Sequence, residues 1–299
     1  MLLEHIAEYD APLRVYLRRE FCLSSTLVKR LKFSQAFFVN GLPARTNFAV
    51  KAGDVLRVVL EEESPAYPAE NGDLDILYED EALIALDKPA GVLVHPSRAR
   101  NTGTLANFLA GYYGKTGEHC AVHPISRLDR DTFGVVLFAK NSHVHARMHE
   151  QLRCGGIEKI YHALVFGAPK ETVGLIDAPI ARLSETSLLR CIRADGKPAK
   201  SAYRVLAKDA HSAILRLQPL TGRTHQLRLH CAHIGCPILG DPQYASAQSQ
   251  AYSEAQGIFG QQLCAHSLRF THPLRGEEIT LFSRLKICSN SCILDETGV

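Results

Sequence analysis

The 299-residue chain predicts an α+β fold in two parts, a small helix-helix-hairpin module ahead of a larger, strand-rich one. Three observations carry this reading. Residues 11–60 pass from helical spacing to strand and turn signals. Residues 61–74 combine an acidic run, two prolines and an Asn-Gly pair, which is the make-up of a linker. From residue 75 onward, short apolar runs alternate with Pro/Gly turns. Hydrophobic content of 46% and charged content of 22% are enough for a packed core.

Within residues 11–32 the spacing predicts two short helices. Leu13, Val15, Tyr16 and Leu17 form one apolar set, with Arg14, Arg18 and Arg19 on other faces. Ser24-Ser25-Thr26 offers an N-cap before Leu27 to Lys32. Phe37 to Val39 then enters an Asn40-Gly41 turn, a strong hairpin signal. Ala52-Gly53-Asp54 turns the chain into a strand over Val55 to Leu60. Over residues 11–60 this order resembles the S4 RNA-binding domain, a small α/β module; a generic helix-turn-helix is the alternative. The resemblance implies that Arg18, Arg19, Lys29, Arg30 and Lys32 face phosphates. Each could equally belong to a solvated helix face.

Charge is partitioned along the chain. Residues 1–60 hold nine Lys/Arg and five Asp/Glu, a net +4. Residues 61–86 hold nine Asp/Glu and no Lys/Arg, and the remainder carries a net +8, for +3 overall. Two basic modules separated by an acidic block suit a polyanionic partner.

In the larger part, Ile76–Tyr78 and Leu83–Leu86 read as strands around the acidic turn Glu79-Asp80-Glu81. Leu86 to Pro96 reads as strand, Pro89-Ala90-Gly91 turn and second strand. His123 to Gly134 is the most informative stretch. It places Arg127-Leu128-Asp129 before Thr132-Phe133-Gly134 and the apolar run Val135–Ala139. In an extended segment Arg127 and Asp129 point to the same side, with a buried strand to hold them. An isolated Arg-x-Asp is more often a weak surface pair.

Four further stretches follow in order. They are Leu86 to Pro96, Glu158 to Val165, Thr221 to His230, and Gly235 to Pro242 with Leu263 to Pro273. Together the five resemble the motifs of RluA-type pseudouridine synthases across about residues 75–285. Ser126 and Phe133 depart from the usual His and Ser of the family's Arg-Leu-Asp motif. The resemblance implies a catalytic domain over residues 75–299 built on a mixed, mostly antiparallel sheet. It also implies isomerisation of uridine to pseudouridine in structured RNA without a cofactor. Asp129 would be the catalytic carboxylate and Tyr161 would lie against the uracil. Arg228 would pair with Asp129, while Leu227 packs on the base and Arg223 supports it. Arg127 would fill the stack vacated by an extruded uridine, a role suited to a planar guanidinium. The first step stays open between attack at C1′, attack on the ring and removal of the C2′ proton.

An S4-like domain joined to this module occurs in family members acting on ribosomal RNA. Large-subunit ribosomal RNA is therefore the expected substrate and transfer RNA the alternative. A catalytically lapsed, RNA-binding assembly factor is disfavoured because Asp129, Tyr161 and Arg228 are all present. A zinc-dependent base deaminase is disfavoured because the H-x-E…P-C-x-x-C pattern is missing. His225, His230, Cys231, His233 and Cys236 crowd together, but without the paired clips of a structural zinc site, so no metal is expected. Glycine-rich phosphate loops are missing too. Nine Cys without a small-domain framework suggest reduced thiols. With no apolar run long enough to span a membrane and no leader pattern, a cytoplasmic protein, expected to be a monomer, is the reading.

Overall fold

The computed structural model describes residues 1–60, 64–97, 100–187 and 189–287, so Glu61-Glu62-Glu63 of the acidic run lies outside the described residues. At the N-terminus the two helices are Leu13–Arg19 and Ser25–Leu31. Ser24 caps the second, its Oγ accepting the Leu27 N–H at 3.1 Å. Leu13, Tyr16 and Leu17 are buried, while Arg18 and Arg19 stay exposed. Strands Phe37–Val39 and Leu42–Pro43 form the expected hairpin. Its turn residues Asn40 and Gly41 have φ of 49° and 80°, the positive pair that a two-residue turn needs. Leu2–Ile6, which the sequence reading left unassigned, pairs antiparallel with Val55–Val59 and completes a four-stranded sheet. Leu13, Tyr16, Leu31, Leu56 and Val58 close one core between this sheet and the helices.

Residues 64–74 carry no regular element but are docked. The Glu70 N–H donates to the Asn107 carbonyl at 3.0 Å, and Asn107 Nδ2 donates to the Pro68 carbonyl at 2.9 Å. Both bonds lie against the helix Leu105–Thr116. Gly111 of that helix admits the segment, since a Cβ there would sit 2.1 Å from the Glu70 carbonyl oxygen.

The larger part is built on a mixed, mostly antiparallel ten-stranded sheet. Its main path runs Val173–Asp177, Lys200–Lys208, Ser212–Pro219, Glu158–Phe166, Leu263–Thr271, Phe133–Ala139, Leu83–Lys88, Ile76–Glu79. Within it the pairing of Phe133–Ala139 with Leu263–Thr271 is parallel. The strand Phe133–Ala139 is buried throughout because both its faces are covered. Val135, Leu137 and Ala139 pack with Val144 and Met148 of the helix Ser142–Arg153. Val136 and Phe138 pack with Leu105, Leu109 and Tyr113 on the other side. Hence the unbroken apolar run in the sequence. At the far half of the sheet, Ala163, Val165, Leu215 and Leu217 pack against Leu227 and Cys231 of the helix Gln226–His233.

One expectation is corrected. After the Pro89-Ala90-Gly91 turn the chain makes only an isolated bridge between Leu93 and Thr104, not a second strand, because it turns to cover the helix Leu105–Thr116. The strand Leu263–Thr271 lies inside the sheet, with Glu158–Phe166, Phe133–Ala139 and Glu278–Phe282 as partners.

Candidate active site

A cleft of about 1130 Å³ opens over the middle of this sheet. Asp129, Arg127, Tyr161, Arg223, Leu227 and Arg228 all line it. Residues distant in sequence are thereby brought to one place. Arg18, Arg19, Lys29, Arg30 and Lys32 are exposed on the N-terminal module and do not line the cleft.

Asp129 sits on the loop between the short strand His123–Pro124 and the buried strand Phe133–Ala139. Several bonds fix that loop. The Thr132 N–H donates back to the Asp129 carbonyl at 3.2 Å. Thr132 Oγ1 is itself held by Gln261 Nε2 at 2.8 Å. The Arg130 carbonyl accepts from the Gly91 N–H at 3.0 Å and from Lys88 Nζ at 2.7 Å. Burial pulls the Lys88 ammonium down to about 8, against the opposing pull of Asp131 and Asp129. Just beyond, Gly134 (φ 109°) is required by packing, because a Cβ there would lie 2.3 Å from the Ala265 carbonyl oxygen. The Lys-Pro-x-Gly turn and the Thr-x-Gly segment are thus two braces of one loop.

The Asp129 side chain remains 29% exposed to the cleft. Its Oδ2 accepts from Arg228 Nη1 at 3.2 Å. Arg228, 6% exposed, is itself gripped from behind. Its Nε and Nη2 each donate to the fully buried Asp241 carboxylate at 2.7 Å, and Nη2 also donates to Gln243 at 2.9 Å. The Tyr244 ring packs under the guanidinium, 4.9 Å from Cζ to the ring centre. Bidentate pairing fixes both position and plane of the arginine, so that its remaining nitrogen points at Asp129.

His225 approaches Asp129 from another direction, with Nε2 4.0 Å from Oδ2 and Nδ1 2.7 Å from the Tyr244 hydroxyl. Its φ of 58° is left-handed, a strained conformation for a non-glycine residue. Burial lowers its pKa, Asp129 opposes that, and Arg228 and Arg190 reinforce it. Gln226 sets the preceding loop. Its Oε1 accepts from the Thr221 hydroxyl and the Arg223 N–H, and its Nε2 donates to the Lys200 carbonyl and Ser201.

Tyr161 stands on the strand Glu158–Phe166, opposite Leu217. Burial and the nearby Asp129 charge push its phenol well above the usual range, so it stays protonated. Leu227 is mostly buried yet reaches the cleft wall. Arg223 Nε donates to the Pro198 carbonyl at 3.0 Å. His230 lies near Ser201 (2.9 Å) and the Ala178 carbonyl (3.0 Å), and Cys231 and Cys236 lie in the apolar cluster. Of the crowded His and Cys residues, His230, Cys231 and Cys236 are thus buried in packing, whereas His225 faces the cleft and His233 is exposed.

Sequence reasoning missed Asp241, Gln261 and Tyr244. The only signal for Asp241 was an acid set in an apolar Gly/Pro turn. Gln261 and Tyr244 carried none.

The model of the RNA pseudouridylate synthase family matches residues 82–233. YhcT of Bacillus subtilis, described as an uncharacterized RNA pseudouridine synthase, is 35% identical over 82% of this chain and 80% of its own. The ribosomal large subunit pseudouridine synthase D of Pseudomonas aeruginosa is 35% identical over 80% of this chain and 77% of its own. Among solved structures, human RNA pseudouridylate synthase domain containing 1 superposes with a TM-score of 0.58 at 26% identity, covering 72% of this chain and 84% of that one.

Proposed function

The chain belongs to the RNA pseudouridylate synthase family, an enzyme that isomerises uridine to pseudouridine in RNA, and from that premise we propose that large-subunit ribosomal RNA is its substrate and Asp129 its catalytic carboxylate. The observation that carries the assignment of Asp129 is its place in the cleft. A partly exposed carboxylate is aimed by a buried arginine, with a protonated tyrosine on the adjoining strand. The reaction breaks the N1–C1′ bond, turns the base and forms a C5–C1′ bond. C5 loses a proton and N1 gains one, so no redox partner or energy source is needed.

Arg127 is exposed at the cleft and suits the space left in the RNA stack by an extruded uridine. Leu227 and Tyr161 then receive the two faces of the uracil, and the Tyr161 hydroxyl serves the late deprotonation at C5. Arg228 and Asp241 keep Asp129 in place as water is displaced. Arg223 steadies the rim.

Support for ribosomal RNA comes from the name of the large-subunit relatives and from the basic N-terminal module. We read residues 1–60 as an S4-like, RNA-docking module, joined by residues 61–74 to the catalytic part. Deleting residues 1–70 should then raise KM and flatten its salt dependence, because phosphate contacts set the salt slope. Unchanged RNA affinity and slope would remove the docking role. Pseudouridine mapping of all RNA in cells with and without the gene tests the substrate. Loss of a site in large-subunit ribosomal RNA is expected, and loss confined to transfer RNA would contradict it. Among the described residues no helix is long and apolar enough to cross a membrane.

A further inference from the structure

Lys159 is a cleft-lining cation to which none of the roles above gives work. It lies two residues before Tyr161 on the strand Glu158–Phe166, and both residues line the cleft. Among the described residues its side chain has neither a hydrogen-bond nor an ion-pair partner. The neighbouring cations are differently placed. Arg228 is held by Asp241 and Asp129, Arg269 by Glu158 at 2.7 Å, and Arg130 by Asp131 at 3.0 Å. An ammonium drawn out of water without a counter-charge is costly, and it is retained where a ligand completes the pair.

We propose that Lys159 is the seat for a backbone phosphate of the RNA strand that carries the target uridine. This rests on the reading that the cleft takes an extruded nucleotide of RNA. A uridine lying against Tyr161 brings its flanking phosphodiesters to the cleft walls, and those charges are permanent. The protein's own carboxylates answer Arg228, Arg269 and Arg130, and the remaining cleft cations, Arg127 and Arg223, have the stacking and rim roles given above, so the Lys159 amine stands available to the incoming anion. Burial lowers the ammonium to about 8, and a phosphate beside it would draw it back up. The base itself is neutral until its glycosidic bond breaks, so it offers no charge for Lys159 in the bound ground state.

The test uses the full chain, with total RNA from cells lacking the gene as the probe. Pseudouridine formation is followed across a salt series for the wild type, Lys159→Met and Lys159→Arg. Lys159→Met should raise KM about tenfold at low salt, the effect of one charge-assisted contact. The slope of log(kcat/KM) against log[salt] should flatten by about 0.7–0.9, the value for one phosphate. Lys159→Arg should restore both. An unchanged salt slope in Lys159→Met overturns the proposal. So does a fall in kcat at constant slope, which would put the amine on the detaching base instead. If the wild type modifies only a non-ribosomal fraction, the ribosomal substrate fails, yet the same variants still decide Lys159.

Discussion

Replacing Asp241 by Asn separates the aiming of Asp129 from its chemistry. Asp241 Oδ1 accepts from Arg228 Nη2 and from the N–H groups of Gln243 (2.9 Å) and Tyr244 (3.2 Å). Among the described residues its Oδ2 accepts only from Arg228 Nε, at 2.7 Å. An Asn would keep its oxygen at the crowded Oδ1 position. Its amide nitrogen would then face the Arg228 Nε–H, donor against donor. One short charged hydrogen bond is lost, and a guanidinium that is 6% exposed loses its buried counter-charge. Breaking a buried pair from one side costs about 3–5 kcal/mol, and the retained oxygen places this change at about 3. With a shift of roughly 2–4 °C per kcal/mol for a chain of this size class, Tm should fall by about 6–12 °C. Arg228 then pivots towards Asp129, its remaining carboxylate partner. A displacement of about 1 Å at the reacting group lowers turnover on the order of a hundredfold. Single-turnover pseudouridine formation and thermal unfolding read the two effects separately. Wild-type turnover in Asp241→Asn, whatever its melting point, would refute the claim that Asp241 aims the catalytic carboxylate through Arg228.

Tyr161→Phe should keep the stacking surface and slow turnover, whereas Tyr161→Ala should also weaken productive binding by about 1–3 kcal/mol, the worth of one stacked base. Equal, near-wild-type kinetics in both variants would make Tyr161 a wall residue only. Acid should destabilise the fold through His143, a buried imidazole at the start of the helix Ser142–Arg153 that burial, helped by Arg147, holds down to about 4. The unfolded chain binds that proton near pH 6.5, so the contribution is intact above pH 6.5 and shrinks as pH falls towards 4, by up to about 3 kcal/mol. Urea midpoints of the wild type and His143→Leu across pH 4–7.5 measure it, and identical pH slopes would contradict it.

The parts of the fold that were legible are those with local causes. Ser24 caps its helix, Asn40-Gly41 turns its hairpin, and the apolar run Val135–Ala139 is buried on both faces. Gathering Asp129, Tyr161 and Arg228 in one cleft was legible through motif order, since each sits in a short stretch with its own pattern. What stayed hidden is set by pairing at long range. Nothing local in Leu263–Thr271 says that it runs parallel to Phe133–Ala139. Asp241 and Gln261 act on partners 13 and 129 residues away in sequence, and neither lies in a pattern that spacing could detect. The Leu2–Ile6 strand earns its place only from Val55–Val59.

The central claim is that the Asp129 carboxylate does the chemistry in a cleft whose remaining parts bind and aim. Its most direct test is pseudouridine formation by Asp129→Asn on the RNA that the wild type modifies, with RNA binding and melting measured on the same preparation. The account predicts a folded protein that binds the RNA as the wild type does and forms no pseudouridine. Turnover by a folded Asp129→Asn at a rate comparable to the wild type would contradict it.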